Sequence, residues 1–348
     1  MRLLITAALL VVFAAGMHAE IIRSPQTWSV APPFAKDTEA REALSGAACV
    51  TGTNHCFAVN DEKKYAQFFD IDGRKIEPKE VIRLLPDTVD GVDMKEIDAE
   101  GVAYAPAAEA NGISYFYITG SHGRSRNGSL RPSVFFLFRV PVSTVTGRPE
   151  FAFSEGEPSP NVERTALLRE TIKSRPELAD RAEQPLDQNG VTIEGLAMEG
   201  DSLLFGFRSP CHTANAYIMR VPVHELFKDA VPSGTVEKLA LGADVGVRDL
   251  AAVKGGVMIL AGRSQDDVAV SHANCGQPIE TEEGPPAPSV WFWDGKNEPH
   301  PLGMLPGVGP GDKAETLMLL DESESEYRAL IMFDGAENGE PIEFLIKK

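Results

Sequence analysis

EGVAYAPAAEANGISYFYITGSHGRS, residues 100–125, consists of two short apolar runs on either side of a polar turn, closed by a loop rich in Gly, Ser and Arg. Its aromatic and β-branched residues suit half-buried, pleated strands. The same plan recurs as EGLAMEGDSLLFGFRSPCHT (194–213), RDLAAVKGGVMILAGRSQDD (248–267) and AETLMLLDESESEYRALIMFDGAE (314–337), with a fainter copy, SGAACVTGTNHCFAVNDE, at 45–62. Self-similarity of this kind marks an array of equivalent supersecondary units.

Each pair is followed by further strand-like runs. KYAQFFDIDG and EVIRLLP follow the first copy, SVFFLFRVPV and the short FAF around Phe151 the second, and NAYIMRVPV and TVEKLALG the third. SVWFWDG and PLGMLP follow the fourth, and PIEFLIKK the fifth. Four short strands per unit, separated by turn signals, predict an all-β fold: a β-propeller of four-stranded antiparallel blades. Long amphipathic helices, which parallel strands need as crossovers, are missing from the pattern. Five repeats are visible, and the interval between Pro149 and Gly190 leaves room for a sixth. The last unit runs out of chain after its third strand, so a segment within EIIRSPQTWSV is expected to supply the fourth and close the ring.

The interval 161–183, NVERTALLRETIKSRPELADRAE, places Val162, Leu167, Leu168 and Ile172 at helical spacing, with Asn161 as the cap. A helical insertion near 160–183, in one propeller domain spanning 20–348, is the expectation. In SVWFWDG, alternation puts Trp291 and Trp293 on one face and Phe292 on the other, which suits packing between blades.

Residues 1–19, MRLLITAALLVVFAAGMHA, have the layout of a secretory signal peptide: Arg2, an apolar run, and a small residue at the end. Export to the periplasm or the medium is expected, with no stable membrane insertion after cleavage. Cys49, Cys56, Cys211 and Cys275 then read as two disulfides. Cys49–Cys56 would span a hairpin turn, leaving Cys211–Cys275. Lys plus Arg total 33 against 51 Asp plus Glu, a formal charge of -18. No basic-aromatic stretch accompanies them, which argues against nucleic acid as a partner.

A polar residue just before each innermost strand of a propeller would aim at a shared axial mouth. Glu100, Glu194, Asp249 and Glu315 take that position in their repeats, with Arg248 beside Asp249. These four, with His122, are the catalytic candidates. The loops after the second strands add Asn60, Asp61, Arg124, Arg208 and Arg263 as ligand-binding candidates, together with Ser121, Arg126, His212, Asp266 and Asp334. Converging carboxylates repel unless a cation, an arginine or a shared proton compensates. Glu100, Glu194 and Glu315 are therefore also candidates for holding calcium or another divalent metal. Arginine and carboxylate also read as structural pairs tying one blade to the next. The adjacent pairs Ser121-His122 and Ser271-His272 do not make a nucleophile and base, and no GxSxG is present.

The segments DAEGVAYAP, YFYITGSHGRS, TIEGLAMEGDSLLFGFRSP, VRDLAAVKGGVMILAG, VWFWDGK and KAETLMLLD resemble a bacterial family called domain of unknown function 3616, over about Ala47 to Asp321. The resemblance implies a propeller with the EG, RSP and RDL elements in its core, and implies no activity. The first repeat departs from it with Ser45-Gly46, and the last with Glu315-Thr316. More distantly, the EGxA unit is similar to that of calcium-dependent lactonases and esterase-like phytases. Two functions follow: an exported propeller binding a small molecule, glycan or protein at its axial face, or a metal-assisted hydrolase of an ester or phosphoester. Whether the chain is an enzyme stays open at this point.

Overall fold

The computed structural model describes residues 20–107, 112–265, 273–275 and 287–348. The leader at 1–19, Asp266, Ser271 and His272 lie outside the described residues. The strands assemble into a five-bladed propeller. Blade one contains Leu44–Cys49, His55–Asn60, Tyr65–Asp72 and Lys75–Arg83, with Ser29–Val30 added in parallel at its outer edge. Blade two contains Ala99–Ala105, Ser114–Gly120, Leu137–Val142 and Glu163–Thr165. Blade three contains Thr192–Glu199, Ser202–His212, Asn215–Pro222 and Thr235–Leu239. Blade four contains Val245–Val253, Gly256–Arg263, Ser289–Trp293 and His300–Met304.

Blade five is built from both ends of the described chain. Ala314–Glu322, Glu326–Phe333 and Ile342–Lys347 are joined by Ile21–Arg23, whose Ile21 pairs antiparallel with Ile346. The N-terminal segment therefore closes the ring as expected, and covers an edge that would otherwise present unpaired backbone groups.

The cores lie between blades, because alternate side chains of each strand face opposite neighbours. Phe57 and Phe68 of blade one meet Phe116 and Phe138 of blade two. Four equivalent cores complete the circle. Trp291 and Trp293 share the core toward blade three, while Phe292 points into the core toward blade five. That division is the one alternation predicts.

The five innermost strands, beginning at Leu44, Ala99, Thr192, Val245 and Ala314, pack side by side around the axis. The glycine of each EG pair permits this. A Cβ on Gly101 would stand 2.7 Å from the Leu196 Cβ, and one on Gly195 2.8 Å from the Leu250 Cγ, closer than packed carbons approach. The disulfides Cys49–Cys56 and Cys211–Cys275 both form.

The interval 149–190 holds no sixth blade. FAF is coil, with Phe151 and Phe153 packed against the core between blades one and two. The outer strand of blade two is Glu163–Thr165 instead. The insertion follows as two short helices, Leu168–Ser174 and Ala179–Ala182, so Asn161 is not a cap. Leu168, Ile172, Leu178 and Ala182 bury against Phe205, Tyr217 and Met219, which roofs the seam between blades two and three. No helix among the described residues is long and apolar enough to cross a membrane.

Candidate functional site

One irregularity recurs in all five blades and builds the site. Pairing between the two innermost strands slips by a residue near the start of the inner strand. The residues skipped are Ser45, Glu100, Glu194, Arg248 and Glu315. A bulge leaves its extra residue out of the ladder and re-aims the side chain. Four of these five residues, all but Ser45, line a cavity of about 340 Å³ at one end of the axis.

The loops after the second strands open on the same face. Asp61, Arg124, Arg208, Arg263 and Asp334 line the cavity beside the bulge residues. Asp98, Arg131 and Lys313 line it too, and were not anticipated. Asp98 stands two residues before Glu100 in the DAEG element, a signal that the repeat comparison passed over.

The charges are not evenly distributed. Arg248 sits between two acidic neighbours: its Nε is 2.9 Å from Glu194 Oε2, and its guanidinium also pairs with Glu315. Arg208 donates from Nη1 to Glu194 Oε1 at 3.1 Å. Arg263 is 3.5 Å from Asp244. Blades three and four thus present a compensated, arginine-rich wall.

The opposite wall, from blades five, one and two, has fewer cations. Lys313 pairs with Asp334 at 2.6 Å, and Arg131 lies 3.8 Å from Asp98, whose carboxylate also accepts from the Ser121 hydroxyl. The side chains of Asp61 and Glu100 have no hydrogen-bond or ion-pair partner among the described residues. Glu100 is only 9% exposed. Burial, then the adjacent Glu194, Asp98 and Asp61, hold its carboxyl well above the usual range. Burial followed by repulsion from Asp98, Asp334 and Glu315 pushes Asp61 up to about 8. Burial raises Glu315 to about 7 against the pull of Arg248. The mouth therefore holds two kinds of carboxyl group: Asp61 and Glu100, which have no cation and are held above their ordinary range, and Glu194 and Glu315, which are paired with arginine.

Four candidates take other places, the first being His212, which is exposed at the end of Ser202–His212 and does not line the cavity. Asp249 does not face the mouth, because the bulge in blade four falls on Arg248 and turns Asp249 the other way. Its carboxylate accepts from the backbone N–H of Leu250 and of Leu317, both at 2.7 Å, tying blade four to blade five. His122 is fully buried, in the left-handed region with φ 54°, and packs on Phe135 rather than reaching the cavity. Burial, and secondarily Arg169, lower its imidazole to about 3, so it stays neutral. Asn60 is buried and spends its amide on the Tyr65 carbonyl at 3.3 Å. Arg124 does border the cavity, but pairs with Glu183 at the end of the helical insertion.

The metal expectation gains no support from side-chain placement. Among the described residues no three His, Cys, Asp or Glu groups converge to hold an ion. Arg248 already occupies the space between Glu194 and Glu315 where a cation would have to sit.

These features define a five-bladed propeller whose axial mouth is made from the bulged residues of four blades and the loops above them. Within that class, the chain belongs to the family described as protein of unknown function DUF3616, whose model matches residues 148–341. No curated protein matches the chain by sequence. Among solved structures it is similar to an exo-β-1,3-galactanase from Phanerochaete chrysosporium solved with β-1,3-galactotriose, at 10% identity and a TM-score of 0.46, covering 94% of this chain and 64% of that one. It is also similar to a GH43 β-1,3-galactosidase, at 10% identity and a TM-score of 0.47, covering 94% and 60%. The arabinanase of Bacillus subtilis follows at 11% identity and a TM-score of 0.37, covering 88% and 95%. The chain thus spans less than two thirds of the first two proteins. Likeness at this level does not extend to chemistry, and it lends nothing to the lactonase and phytase comparison.

Proposed function

We propose that the protein binds a small polyhydroxylated molecule or glycan in its axial mouth. The observation that carries this reading is the bulge ring: four blades break their own strand pairing at the same place and turn a charged side chain into one cavity. Bulges weaken a ladder locally, and their repetition around a site is the arrangement expected where side-chain aim matters more than pairing. A hydroxylated ligand suits a mouth lined by carboxyl and guanidinium groups, since each sugar hydroxyl both donates and accepts.

A second reading, hydrolysis of an ester or glycosidic bond, is favoured by the two kinds of carboxyl in one cavity. Glu100, whose carboxyl burial holds well above the usual range, is placed as a proton donor to a leaving oxygen, and Glu194, paired with Arg208 and Arg248, as its partner. The bridges Cys49–Cys56 and Cys211–Cys275 support export to an oxidising compartment, periplasm or medium, in keeping with the apolar leader.

A thermal-shift screen of mono- and oligosaccharides, repeated on Glu194→Gln, tests the binding reading. Ligands that stabilise the wild type should lose their effect in the variant. Stabilisation that persists in Glu194→Gln would put the ligand elsewhere, and product formation during the screen would favour the hydrolase.

A further inference from the structure

The bulge ring has four charged members and one gap. Going round the axis it reads Ser45, Glu100, Glu194, Arg248, Glu315. Arg248 compensates its two neighbours, Glu194 and Glu315. Glu100 is next to the gap, because Ser45 is short, buried, and turns its hydroxyl to the Ala43 carbonyl at 3.3 Å. Asp61 leans over the same gap from the loop after His55–Asn60, with its Oδ1 buried and without a partner. Two carboxyls, both lacking a cation, thus border one corner of the cavity, and one of them is nine-tenths buried.

We propose that this corner, above Ser45 and between Asp61 and Glu100, takes an organic ammonium group, so that the ligand of the mouth is an amino sugar or a similar hydroxylated amine. The inference rests on the axial-binding reading above. An ammonium has three donors and a single charge, matched to two facing carboxyls, and its carbon skeleton would run toward the hydroxyl-binding pairs of blades three and four. Burial, and the field of the other acids in the mouth, make ionisation costly for both groups in the free protein, and a bound ammonium supplies the missing positive charge that lets them release their protons and pair with it. A neutral sugar supplies no such charge. An inorganic cation needs several ligands at short range, and no such group converges among the described residues.

Calorimetric titration of the full chain with D-glucosamine, N-acetyl-D-glucosamine and calcium chloride, at a pH where the amine is protonated, tests this. Glucosamine should bind about tenfold or more tightly than its acetylated form, which keeps the ring and removes the charge. Asp61→Asn and Glu100→Gln should each reduce glucosamine to the acetylated level, with circular dichroism and melting confirming that both fold. Equal binding of the two sugars, unaffected by either variant, would overturn the ammonium site while leaving axial sugar binding intact. Binding of calcium alone that both variants abolish would also overturn it, since the corner would then serve an inorganic cation. If neither sugar binds, both this inference and the axial-binding reading fall.

Discussion

A carboxyl group moved from water into a protein interior without a nearby cation keeps its proton, and Asp61 is in that position. Its ordinary pKa near 3.8 becomes about 8 in the fold, chiefly through burial. Between those values the folded chain binds a proton that the unfolded chain has released. Stability contributed by this group is therefore complete below about pH 4, falls as pH rises toward 8, and changes little beyond. The slope is about 1.4 kcal/mol per pH unit for each proton retained. Asp61→Asn removes the titration, so it should match the wild type near pH 4 and exceed it by a growing margin toward pH 8. Urea unfolding of both proteins across that range measures the difference. A gap that stays constant with pH would mean that Asp61 is ionised and solvated in the fold. Glu100 and Glu315 are raised as well, so Asp61→Asn should itself still lose stability as pH rises, by a smaller amount than the wild type.

The innermost strand is the element in which fold and site meet. In four blades the residue its bulge leaves out of the ladder lines the mouth, and in blades two and three the glycine that follows lets the next blade approach. Gly195→Ala places a carbon within 2.8 Å of Leu250 and 3.0 Å of Val247, in a seam closed by the backbone of Asp249. The seam must widen, at a cost of about 1–3 kcal/mol by analogy with other overpacked cores. Chemical denaturation should show that loss. Weakened ligand binding should accompany it, because Glu194 precedes Gly195 and moves with the strand. An exposed turn glycine such as Gly200, which has nothing within 4 Å, is the comparison site. A loss no larger at Gly195 than at Gly200 would show that the strands are not in tight register there, although the positive φ of Gly200 imposes its own smaller penalty.

For the whole molecule, closure rests on three short pairs between Ile21–Arg23 and Ile342–Lys347, reinforced by the Trp28 indole donating to Glu343 at 3.0 Å. Removing residues 20–28 leaves the strand Ile342–Lys347 as an open edge. The truncated protein should melt several degrees lower and form dimers or larger species in size-exclusion chromatography, since an uncovered edge templates pairing with another chain. A monomer with an unchanged melting point would mean that inter-blade packing alone holds the ring. Closure also fixes the mouth, because blade five contributes Glu315 and Asp334 to the wall facing blade one.

Local pattern was sufficient for the blades, the N-terminal closing strand and the Cys49–Cys56 hairpin, because strand alternation and turn chemistry act over a few residues. It was also sufficient to bring Glu100, Glu194, Glu315, Arg208 and Arg263 to one mouth, since equivalent positions in equivalent blades face one axis. The choice between Arg248 and Asp249 was beyond it. Their order in VRDLAAV is compatible with either residue facing inward, and only the position of the bulge turns Arg248 to the mouth and Asp249 to backbone amides. His122 and Asn60 were lost to the interior for a related reason: a polar residue in a loop or at a strand end carries no sign of whether the chain turns it outward. The residues themselves determined a repeating, acidic, five-unit β chain. Which carboxyls are compensated and which keep their protons was decided only by tertiary structure, because charge compensation depends on distances between blades that no single repeat contains.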